Sequence, residues 1–339
     1  MQGRILSIQS HVAFGYLVNT VNFSNHSGYG RSGGSKTSAT ELNSIFDALE
    51  RNELLSPVRL LTGYIPNAEA LTAVKQLAEK LRKEKPGLVY LLDPVMGDAG
   101  RLYVAADVVP VYRSMLPLST IITPNWFEVE TLTSTTLTSP ASLRHALTKL
   151  HKEYRVSNVA ISSIPLTGRP WLAALLPGSI QPPDDRDEEW LLCIASSVDE
   201  SESESPDTSA VYAQCVPLLP GYFSGVGDLF SALVLAHYDP DPDSPGPLPP
   251  LPAAVSQALT KTHAVLCRTS EYAAQLPEAE RLPTDDERDA VDPMRKVRRM
   301  RGRELRLVQS IDIIRSDSTE TTTKIRQLER WDGFWTTNL

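Results

Sequence analysis

The tetrapeptide Gly225-Val226-Gly227-Asp228 comes directly before an apolar run, 229–235, and has the residue types that phosphate chemistry needs. Its two glycines let the backbone turn with N–H groups pointing outward, and a helix beginning here adds the positive end of its dipole. The segment is therefore predicted to hold an anion, with phosphate as the expected ligand. Asp228, in the first turn of that helix, would be the base that takes a proton from an attacking hydroxyl. The alternative is an ordinary N-cap aspartate after a glycine turn.

Further motifs precede this tetrapeptide in a fixed order. They are RILSIQSHV (4–12), NFSNHSGYG (22–30), LTGY (61–64), DPVMGD (93–98) and ITPNWFE (122–128). The ordered set resembles the signature series of the pyridoxal kinases of the ribokinase superfamily. The matches run from about residue 4 to residue 235, and RLVQS (306–310) resembles the closing segment of that family. Each motif is weak by itself, but the ordered set is specific.

The resemblance implies a fold, a reaction and partners. The fold would be α/β and ribokinase-like, with a mainly parallel central sheet and helices on both faces. The reaction would transfer the γ-phosphoryl group of ATP to the 5′-hydroxymethyl group of pyridoxal, pyridoxine or pyridoxamine, with Mg²⁺ or another divalent cation and a monovalent cation such as K⁺. A homodimer is also implied. Two alternatives stay open: a hydroxymethylpyrimidine or sugar kinase of the same superfamily, and a catalytically impaired protein that still binds the vitamer.

The resemblance also assigns roles to residues. The catalytic set would be Asp228 with Gly225 and Gly227. The vitamer would be bound by Ser10, Ser27, Tyr64 and Asp228. ATP would be bound by Asp93, Asn125, Glu128, Ser162, Ser163 and Val226. The divalent cation would be held by Asp98, and the monovalent cation would lie among Asp93, Thr123 and Glu128, whose hard oxygen ligands suit such ions. Taken singly, Asp93 before Pro94 fits a turn former, and Glu128 fits a first-turn helix residue that complements the dipole.

Other chemical interpretations of the same region are less favoured. GYGRSG (28–33) has the spacing of a dinucleotide fingerprint and GGSKT (33–37) resembles a phosphate loop. The first lacks the tight strand-to-helix context, and the second has Ser35 where a glycine should precede the lysine. A glycine-rich flap over the substrate is the preferred interpretation. His11 and His26 are expected to be hydrogen-bonded structural residues rather than catalysts.

The elements that must position these residues follow from periodicity. Short β-rich runs at 58–61, 88–92, 120–122 and 158–161 alternate with helical spacing at 71–81 and 143–150, which indicates a parallel sheet. Asp93 and Thr123 each follow a predicted strand, where an open α/β sheet binds its ligands. We expect a single domain, 1–339, with surface insertions near 181–210 (around a strand at 190–195) and 239–252. We also expect a polar, mobile segment at 275–293 and a solvated basic helix face at 295–303.

Composition narrows the class of protein. The chain has 339 residues, 41% of them hydrophobic, and a formal net charge of −8. The acidic balance argues against a nucleic-acid partner. With no secretory leader before the first predicted strand and no apolar run long enough to cross a bilayer, we expect a cytoplasmic location, with the nucleus as a second one, and no membrane partner. The three cysteines, Cys193, Cys215 and Cys267, are too few and too scattered for a disulfide framework and are expected to be reduced.

One departure from the family pattern concerns the fold itself. After Tyr16 the family continues through a helix and the start of a second strand, but here LVNTV (17–21) follows at once. A parallel crossover with a helix needs about a dozen residues or more, which the link lacks. We therefore predict that Gly15–Val21 is irregular or weakly paired, that apolar surface is exposed beside the first strand, and that stability is lowered. Two smaller departures, Val226 in place of threonine and Ser32 in place of an aromatic residue, leave the chemistry possible.

Overall fold

The computed structural model describes residues 5–9, 16–98, 100–182, 189–198, 208–241, 246–316 and 326–336. In chain order its strands are β1 (Ile5–Gln9), β2 (Tyr16–Asn19), β3 (Val21–Phe23), β4 (Gly34–Lys36), β5 (Arg59–Thr62), β6 (Val89–Leu92), β7 (Gly97–Asp98), β8 (Arg101–Leu102), β9 (Ile121–Ile122), β10 (Asn158–Pro165), β11 (Trp190–Ser197), β12 (Ala210–Pro217) and β13 (Glu329–Arg330). The main sheet has nine strands in the order β13-β12-β11-β10-β9-β6-β5-β1-β2, while β3 with β4 and β7 with β8 form two-stranded ribbons.

The main sheet is parallel from β2 to β10 and antiparallel from β10 to β13. Its parallel strands are short apolar runs, and every residue of β6 is buried. Such continuous burial requires that both faces of a strand be covered by helices. The prediction of a mainly parallel sheet is confirmed, and so is the strand predicted at 190–195, which lies within β11. The strands β12 and β13 were not predicted.

Two layers of helices cover the sheet. The helices are α1 (Ala39–Arg51), α2 (Ala68–Glu84), α3 (Val108–Met115), α4 (Trp126–Thr133), α5 (Pro140–Thr148), α6 (Pro170–Leu175), α7 (Val226–His237), α8 (Pro250–Ala274), α9 (Asp286–Val291), α10 (Pro293–Arg301) and α11 (Ile311–Arg315). Apolar residues of α1 to α6 pack in one buried cluster, and those of α7 and α8 pack in a second. Adjacent residues of β5 show that the sheet lies between the clusters, because Leu60 belongs to the first and Leu61 to the second.

The segment around β2 corrects the prediction for Gly15–Val21. Strand β2 pairs in parallel with β1 over four residue pairs, and Val21 begins β3. Residues 10–15 connect the two strands. They lie outside the described residues, and they include Gly15, the first residue of the predicted segment. Six residues in extended form span about 20 Å, which exceeds the roughly 10 Å needed to return along four paired residues. A strand therefore forms where a crossover helix would not fit.

Strand β2 is an edge strand, yet part of it contributes to the core. Val18 is 3% exposed and packs in the cluster of α1 to α6, whereas Leu17 is partly exposed and Asn19 is exposed. A right-handed crossover from β1 to β2 would place its helix on the face of the sheet that α7 and α8 cover, opposite the face to which Val18 contributes. The exposed apolar surface predicted for this region is thus limited, among the described residues of β2, to part of Leu17. The lowered stability stays a prediction.

Both predicted surface insertions contain more helix or strand than expected. The proline run at 239–252 was predicted to be an exposed loop, but α8 begins at Pro250, and Leu251 and Pro252 are buried. Proline is tolerated there because the N–H groups of the first helical turn lack intrahelical partners. Ala210, the last residue of the first predicted insertion, begins β12 and is buried. Residues 183–188 and 199–207 of the first insertion and 242–245 of the second lie outside the described residues.

The segment 275–293 and the basic cluster after it also differ from the prediction. Residues 278–280 form a 3-10 turn, and α9 and the first residue of α10 fall within the segment predicted to be mobile. Arg299, predicted on a solvated helix face, is 5% exposed. Its two terminal nitrogens bind the carboxylate of Asp289, and the Nε atom of Arg295 lies 3.4 Å from the same carboxylate. Ion pairing with α9 therefore holds α10 in place.

The cysteines behave as predicted, and the described helices show no membrane span. Cys193 and Cys215 are buried free thiols, and Cys267 is a partly buried free thiol. Burial raises the pKa of the Cys193 and Cys215 thiols to about 12, so both are protonated at neutral pH. In the part of the chain that the structure describes, no helix combines the length and the apolarity needed to cross a membrane.

Candidate active site

A cavity of about 420 Å³ opens at the edge of the sheet where β6 and β9 end. Asp93 directly follows β6 and Thr123 directly follows β9, so parallel strands deliver both residues to one edge. The residues predicted to act on phosphate, nucleotide and cations share this cavity. Its lining includes Asp93, Asp98, Thr123, Asn125, Glu128, Ser162, Ser163, Gly225, Val226, Gly227 and Asp228.

Glu128 is held by the first turn of α4. The Asn125 Oδ1 atom accepts the N–H of Glu128 at 2.9 Å, and the Glu128 Oε2 atom accepts the N–H of Asn125 at 2.9 Å. The Oε1 atom accepts the N–H of Met96, also at 2.9 Å. Burial raises the pKa of Glu128 to about 7, although these backbone hydrogen bonds favour the charged form and act to lower it. Glu128 is thus a capping residue of a helix and, at the same time, a carboxylate bordering the cavity.

Asp93 is the second buried carboxylate of the cavity. It is 4% exposed, its Oδ2 atom accepts the Ser231 hydroxyl at 2.9 Å, and that hydroxyl lies 2.8 Å from the hydroxyl of Thr123. Burial raises the pKa of Asp93 well above its usual range, and the nearby carboxylates of Glu128 and Asp228 raise it further. Ser231 was not predicted. It follows Asp228 by three positions, a spacing that places both on one face of α7.

The N-terminus of α7 has the conformation that anion binding requires. Gly225 is its N-cap with φ of 84°, a left-handed value that favours glycine, and Asp228 lies in the first helical turn. A Cβ atom added to Gly227 would meet nothing within 4 Å, so the space beside this backbone is open. The N–H groups at the start of α7 therefore border the cavity with room for a ligand.

A ribbon at the mouth of the cavity carries Asp98. Strands β7 and β8 form this ribbon, and the Gly97 carbonyl accepts the Asn125 Nδ2 group at 2.8 Å, which ties the ribbon to the start of α4. Tyr103 and Tyr222 also line the cavity and were not predicted. Burial, followed by the charge of Asp98, raises the pKa of the Tyr103 phenol above its ordinary value. Their side chains are 55% and 46% exposed, which leaves them accessible at the mouth.

The residues predicted to bind the vitamer are placed differently. Ser10 and His11 lie outside the described residues. Ser27 begins a 3-10 turn, Ser27–Tyr29, and its side chain lies outside the description. Tyr64 follows β5 and does not line the cavity of about 420 Å³. Burial raises the pKa of the Tyr64 phenol, and the Tyr64 carbonyl accepts the Thr20 hydroxyl at 2.7 Å. The structure thus brings the phosphate-side residues together at one cavity and places Tyr64 outside its lining, while the contacts assigned to Ser10 and Ser27 stay predictions.

The glycine-rich segment near Ser27 forms neither a dinucleotide-binding turn nor a phosphate loop. After the turn at 27–29, Gly34 begins β4, which pairs antiparallel with β3. A dinucleotide fingerprint would require a parallel strand followed directly by a helix here, and a phosphate loop would require a helix beginning at Lys36. The segment instead forms the antiparallel ribbon of β3 and β4, and its role as a flap over the substrate stays a prediction.

Comparison with known proteins gives the family. A family model described as phosphomethylpyrimidine kinase matches residues 29–171. A pyridoxal kinase of Arabidopsis thaliana is 32% identical, with 94% of this chain and 93% of the relative covered. A human pyridoxal kinase is 30% identical, with 80% and 86% covered. The chain belongs to the pyridoxal kinase family.

Solved structures agree with this membership. A pyridoxal kinase from Leishmania donovani in complex with ADP superposes with a TM-score of 0.72 at 25% identity, covering 96% of this chain and 99% of that one. The same enzyme in complex with ADP and pyridoxamine gives a TM-score of 0.71 at 25% identity. The ribokinase-like fold and the pyridoxal kinase resemblance inferred from the ordered motifs are both confirmed.

Proposed function

We propose that this chain is an ATP-dependent kinase that phosphorylates the 5′-hydroxymethyl group of pyridoxal, pyridoxine or pyridoxamine. The observation that carries the proposal is the meeting, at one cavity, of the α7 N-terminus with Asp228 and of the carboxylates Asp93, Asp98 and Glu128. Membership of the pyridoxal kinase family gives this arrangement its substrate class.

Asp228 is proposed as the general base. It lies in the first turn of α7 and lines the cavity, so its carboxylate can accept the proton of the substrate hydroxyl. The freed oxygen attacks the γ-phosphorus of ATP, the bond from that phosphorus to the β,γ-bridging oxygen breaks, and ADP leaves. The N–H groups at residues 225–228 stabilise the charge on the equatorial oxygens of the transferring group.

The carboxylates of the cavity fit bound cations. Asp93 and Glu128 are buried, and burial raises the pKa of both carboxyl groups. The charges of Glu128 and Asp228 raise the pKa of Asp93 further, and the charge of Asp98 raises that of Glu128. ATP would add further negative charge to the same space, so a site without cations would be electrostatically unfavourable. Asp98 would hold Mg²⁺, and Asp93, Thr123 and Glu128 would surround a monovalent cation such as K⁺. Bound there, the cations would neutralise charge on the phosphates.

A second candidate is a hydroxymethylpyrimidine kinase. The specific observation in its favour is the match of residues 29–171 to the phosphomethylpyrimidine kinase model. The two candidates share the phosphate half of the site and differ only in the residues that contact the ring. Ser10, Ser27 and Tyr64, assigned to the ring by resemblance, favour the pyridoxal vitamers.

One assay separates these functions. ATP consumption, coupled to ADP detection, is measured with pyridoxal and with 4-amino-5-hydroxymethyl-2-methylpyrimidine as acceptors, with and without Mg²⁺ and K⁺. We expect turnover with pyridoxal that depends on Mg²⁺ and increases with K⁺. Turnover with the pyrimidine alone would favour the second candidate. Tight binding of pyridoxal without ADP release would indicate a catalytically impaired vitamer-binding protein.

Assembly and location complete the proposal. We propose a homodimer with a cytoplasmic location and a nuclear fraction, acting on small molecules without a nucleic-acid or membrane partner. Light scattering during gel filtration tests the dimer, and a fluorescent fusion imaged in living cells tests the location. A monomeric mass would exclude the dimer without affecting the proposed reaction.

A further inference from the structure

A short segment at the C-terminal end of α10 contacts two loops that lie far apart in the sequence. This segment, residues 300–305, is called the clasp. On one side it touches the turn Ser27–Tyr29, called the flap turn. On the other side it touches residues 221–225, called the anion loop, which leads directly into the N-terminus of α7.

The contact with the flap turn is both polar and apolar. The Tyr29 hydroxyl donates to the Glu304 Oε1 atom at 2.5 Å. Met300 is 2% exposed, and its Cε atom lies 2.8 Å from the place where a Cβ atom on Gly28 would be. Any larger residue at Gly28 would therefore displace Met300. The pKa of the Tyr29 phenol is raised to about 12 by burial and by the hydrogen bond to Glu304, in keeping with a donor held against a carboxylate.

The contact with the anion loop involves backbone. Glu304 forms a parallel β-bridge with Ser224, one residue before the N-cap of α7. The guanidinium of Arg303 lies against Gly221, where an added Cβ atom would approach its Cζ atom to 2.6 Å. The Leu305 Cδ1 atom lies 3.8 Å from the corresponding position on Gly225. Three successive clasp residues thus lie alongside the anion loop.

Helix α10 anchors the clasp at its N-terminal end. Arg299, directly before Met300, is 5% exposed and binds Asp289 of α9 through both terminal nitrogens. A buried pair of this kind cannot shift without leaving a charge unpartnered. The ion pair with α9 therefore fixes the N-terminal end of the clasp, so the clasp does not move with either loop.

From these contacts we propose that Glu304 is a positioning residue for phosphoryl transfer. Its backbone is fixed to the anion loop and its carboxylate is fixed to Tyr29, so it sets the distance between the flap turn and the N-terminus of α7. This inference rests on the proposed function, in which the flap turn carries Ser27 to the vitamer. In-line attack requires reacting atoms about 3–3.5 Å apart, and a small displacement of the flap turn would break that geometry.

Steady-state kinetics with pyridoxal and ATP test the role of Glu304. We expect Glu304→Ala and Tyr29→Phe each to raise KM for pyridoxal and to lower kcat by about three- to tenfold, the scale of the net contribution of one solvent-accessible hydrogen bond. KM for ATP should stay within about twofold. The double variant should be no worse than the more severe single one, because both remove the same contact. Glu304→Gln keeps an acceptor and should restore most of the loss.

Matched controls separate positioning from general stability. Glu50→Ala removes an exposed carboxylate that pairs with Lys80, and Tyr154→Phe removes a phenol that donates to the Leu132 carbonyl. Both should leave the kinetics unchanged. Wild-type kinetics in Glu304→Ala and Tyr29→Phe would overturn the proposal. The proposal would also be overturned if the loss of activity came with parallel changes in KM for ATP, KM for pyridoxal and melting temperature.

Hydrogen exchange tests the clasp without any turnover. In the unliganded protein, Glu304→Ala should speed exchange in a peptide covering 24–33 at least threefold, and Glu50→Ala should not. An inactive wild-type chain that still shows this effect would refute the proposed function and leave the clasp intact. An active wild-type chain with unchanged exchange and kinetics in Glu304→Ala would refute the clasp alone.

Discussion

The phosphate side and the ring side of the proposed site are built in different ways. On the phosphate side, Asp93 and Glu128 are 4% and 3% exposed, and hydrogen bonds from backbone or hydroxyl donors hold both carboxylates. On the ring side, the flap turn leads into β4, whose three residues are all exposed, and β2 is an edge strand. Residues at the ends of buried parallel strands have little freedom, whereas a two-stranded ribbon is only marginally stable by itself.

This difference separates reaction from selectivity. The phosphate side has a geometry fixed by β6, β9, α4 and α7, which suits chemistry that depends on preorganised charge. The ring side depends on short elements that the clasp and the hydrogen bond from Thr20 to Tyr64 support. We therefore expect changes on the phosphate side to act on kcat or on KM for ATP, and changes on the ring side to act on KM for the vitamer, with a smaller effect on kcat where they displace the flap turn.

The largest expected effect is on catalysis. Asp228→Asn keeps the size and polarity of the side chain but removes the base, and kcat should fall by about 10²- to 10⁴-fold. The dissociation constant for ATP, measured by calorimetry, should change by less than about threefold, because the base acts on the acceptor hydroxyl. A variant that retains most of its kcat would exclude Asp228 as the base.

Next in size is the effect of a charge in β2. Val18→Asp places a carboxylate among core residues, and the free energy of unfolding should fall by about 3 kcal/mol or more. Urea denaturation of this variant is compared with Asn19→Asp, which alters an exposed neighbour on the same strand and should cost less than about 0.5 kcal/mol. Similar small effects from both would mean that β2 is not packed as described.

Stability should also depend on pH through His151. Its two ring nitrogens contact the Val156 carbonyl at 2.7 Å and the Ser196 hydroxyl at 2.8 Å, and burial lowers its pKa from 6.5 to about 4. The unfolded chain therefore binds more protons than the folded one between these values. The stability that neutral His151 contributes is complete above pH 6.5 and is lost as pH falls towards about 4, by up to about 3 kcal/mol.

Urea titrations at several pH values check this prediction. His151→Gln should reduce the slope of stability against pH in that window. His145→Gln, an exposed histidine on α5, should leave the slope unchanged. An equal slope in His151→Gln and the unaltered chain would assign the acid sensitivity to other groups.

The smallest expected effects concern the ring side. Tyr64→Ala and Ser10→Ala should raise KM for pyridoxal by about three- to tenfold and KM for ATP by less than about twofold, since each removes a ring contact and no phosphate contact. Ser163→Ala, on the phosphate side, should instead raise KM for ATP more than KM for pyridoxal. Equal changes in both KM values for Tyr64→Ala would contradict the division of the site into two sides.

The sequence by itself determined the family and the phosphate side. A glycine pair before a helix, and polar residues directly after buried strands, are local patterns whose consequences hardly depend on distant contacts. Gly225, Asp228, Asp93 and Thr123 therefore lie where their motifs place them. Ser231 was missed although its spacing from Asp228 predicts a shared helix face.

Only the tertiary structure decided the rest. Strand β2 forms because β1 offers backbone partners and the apolar cluster of α1 to α6 includes Val18, neither of which local sequence reveals. The basic run at 295–303 was interpreted as solvated because charge favours water, yet Asp289 on a separate helix makes the burial of Arg299 possible. Likewise, nothing near Glu304 in the sequence indicates Tyr29, which lies 275 positions earlier. Contacts between residues so far apart depend on how the whole chain packs, and local pattern cannot supply them.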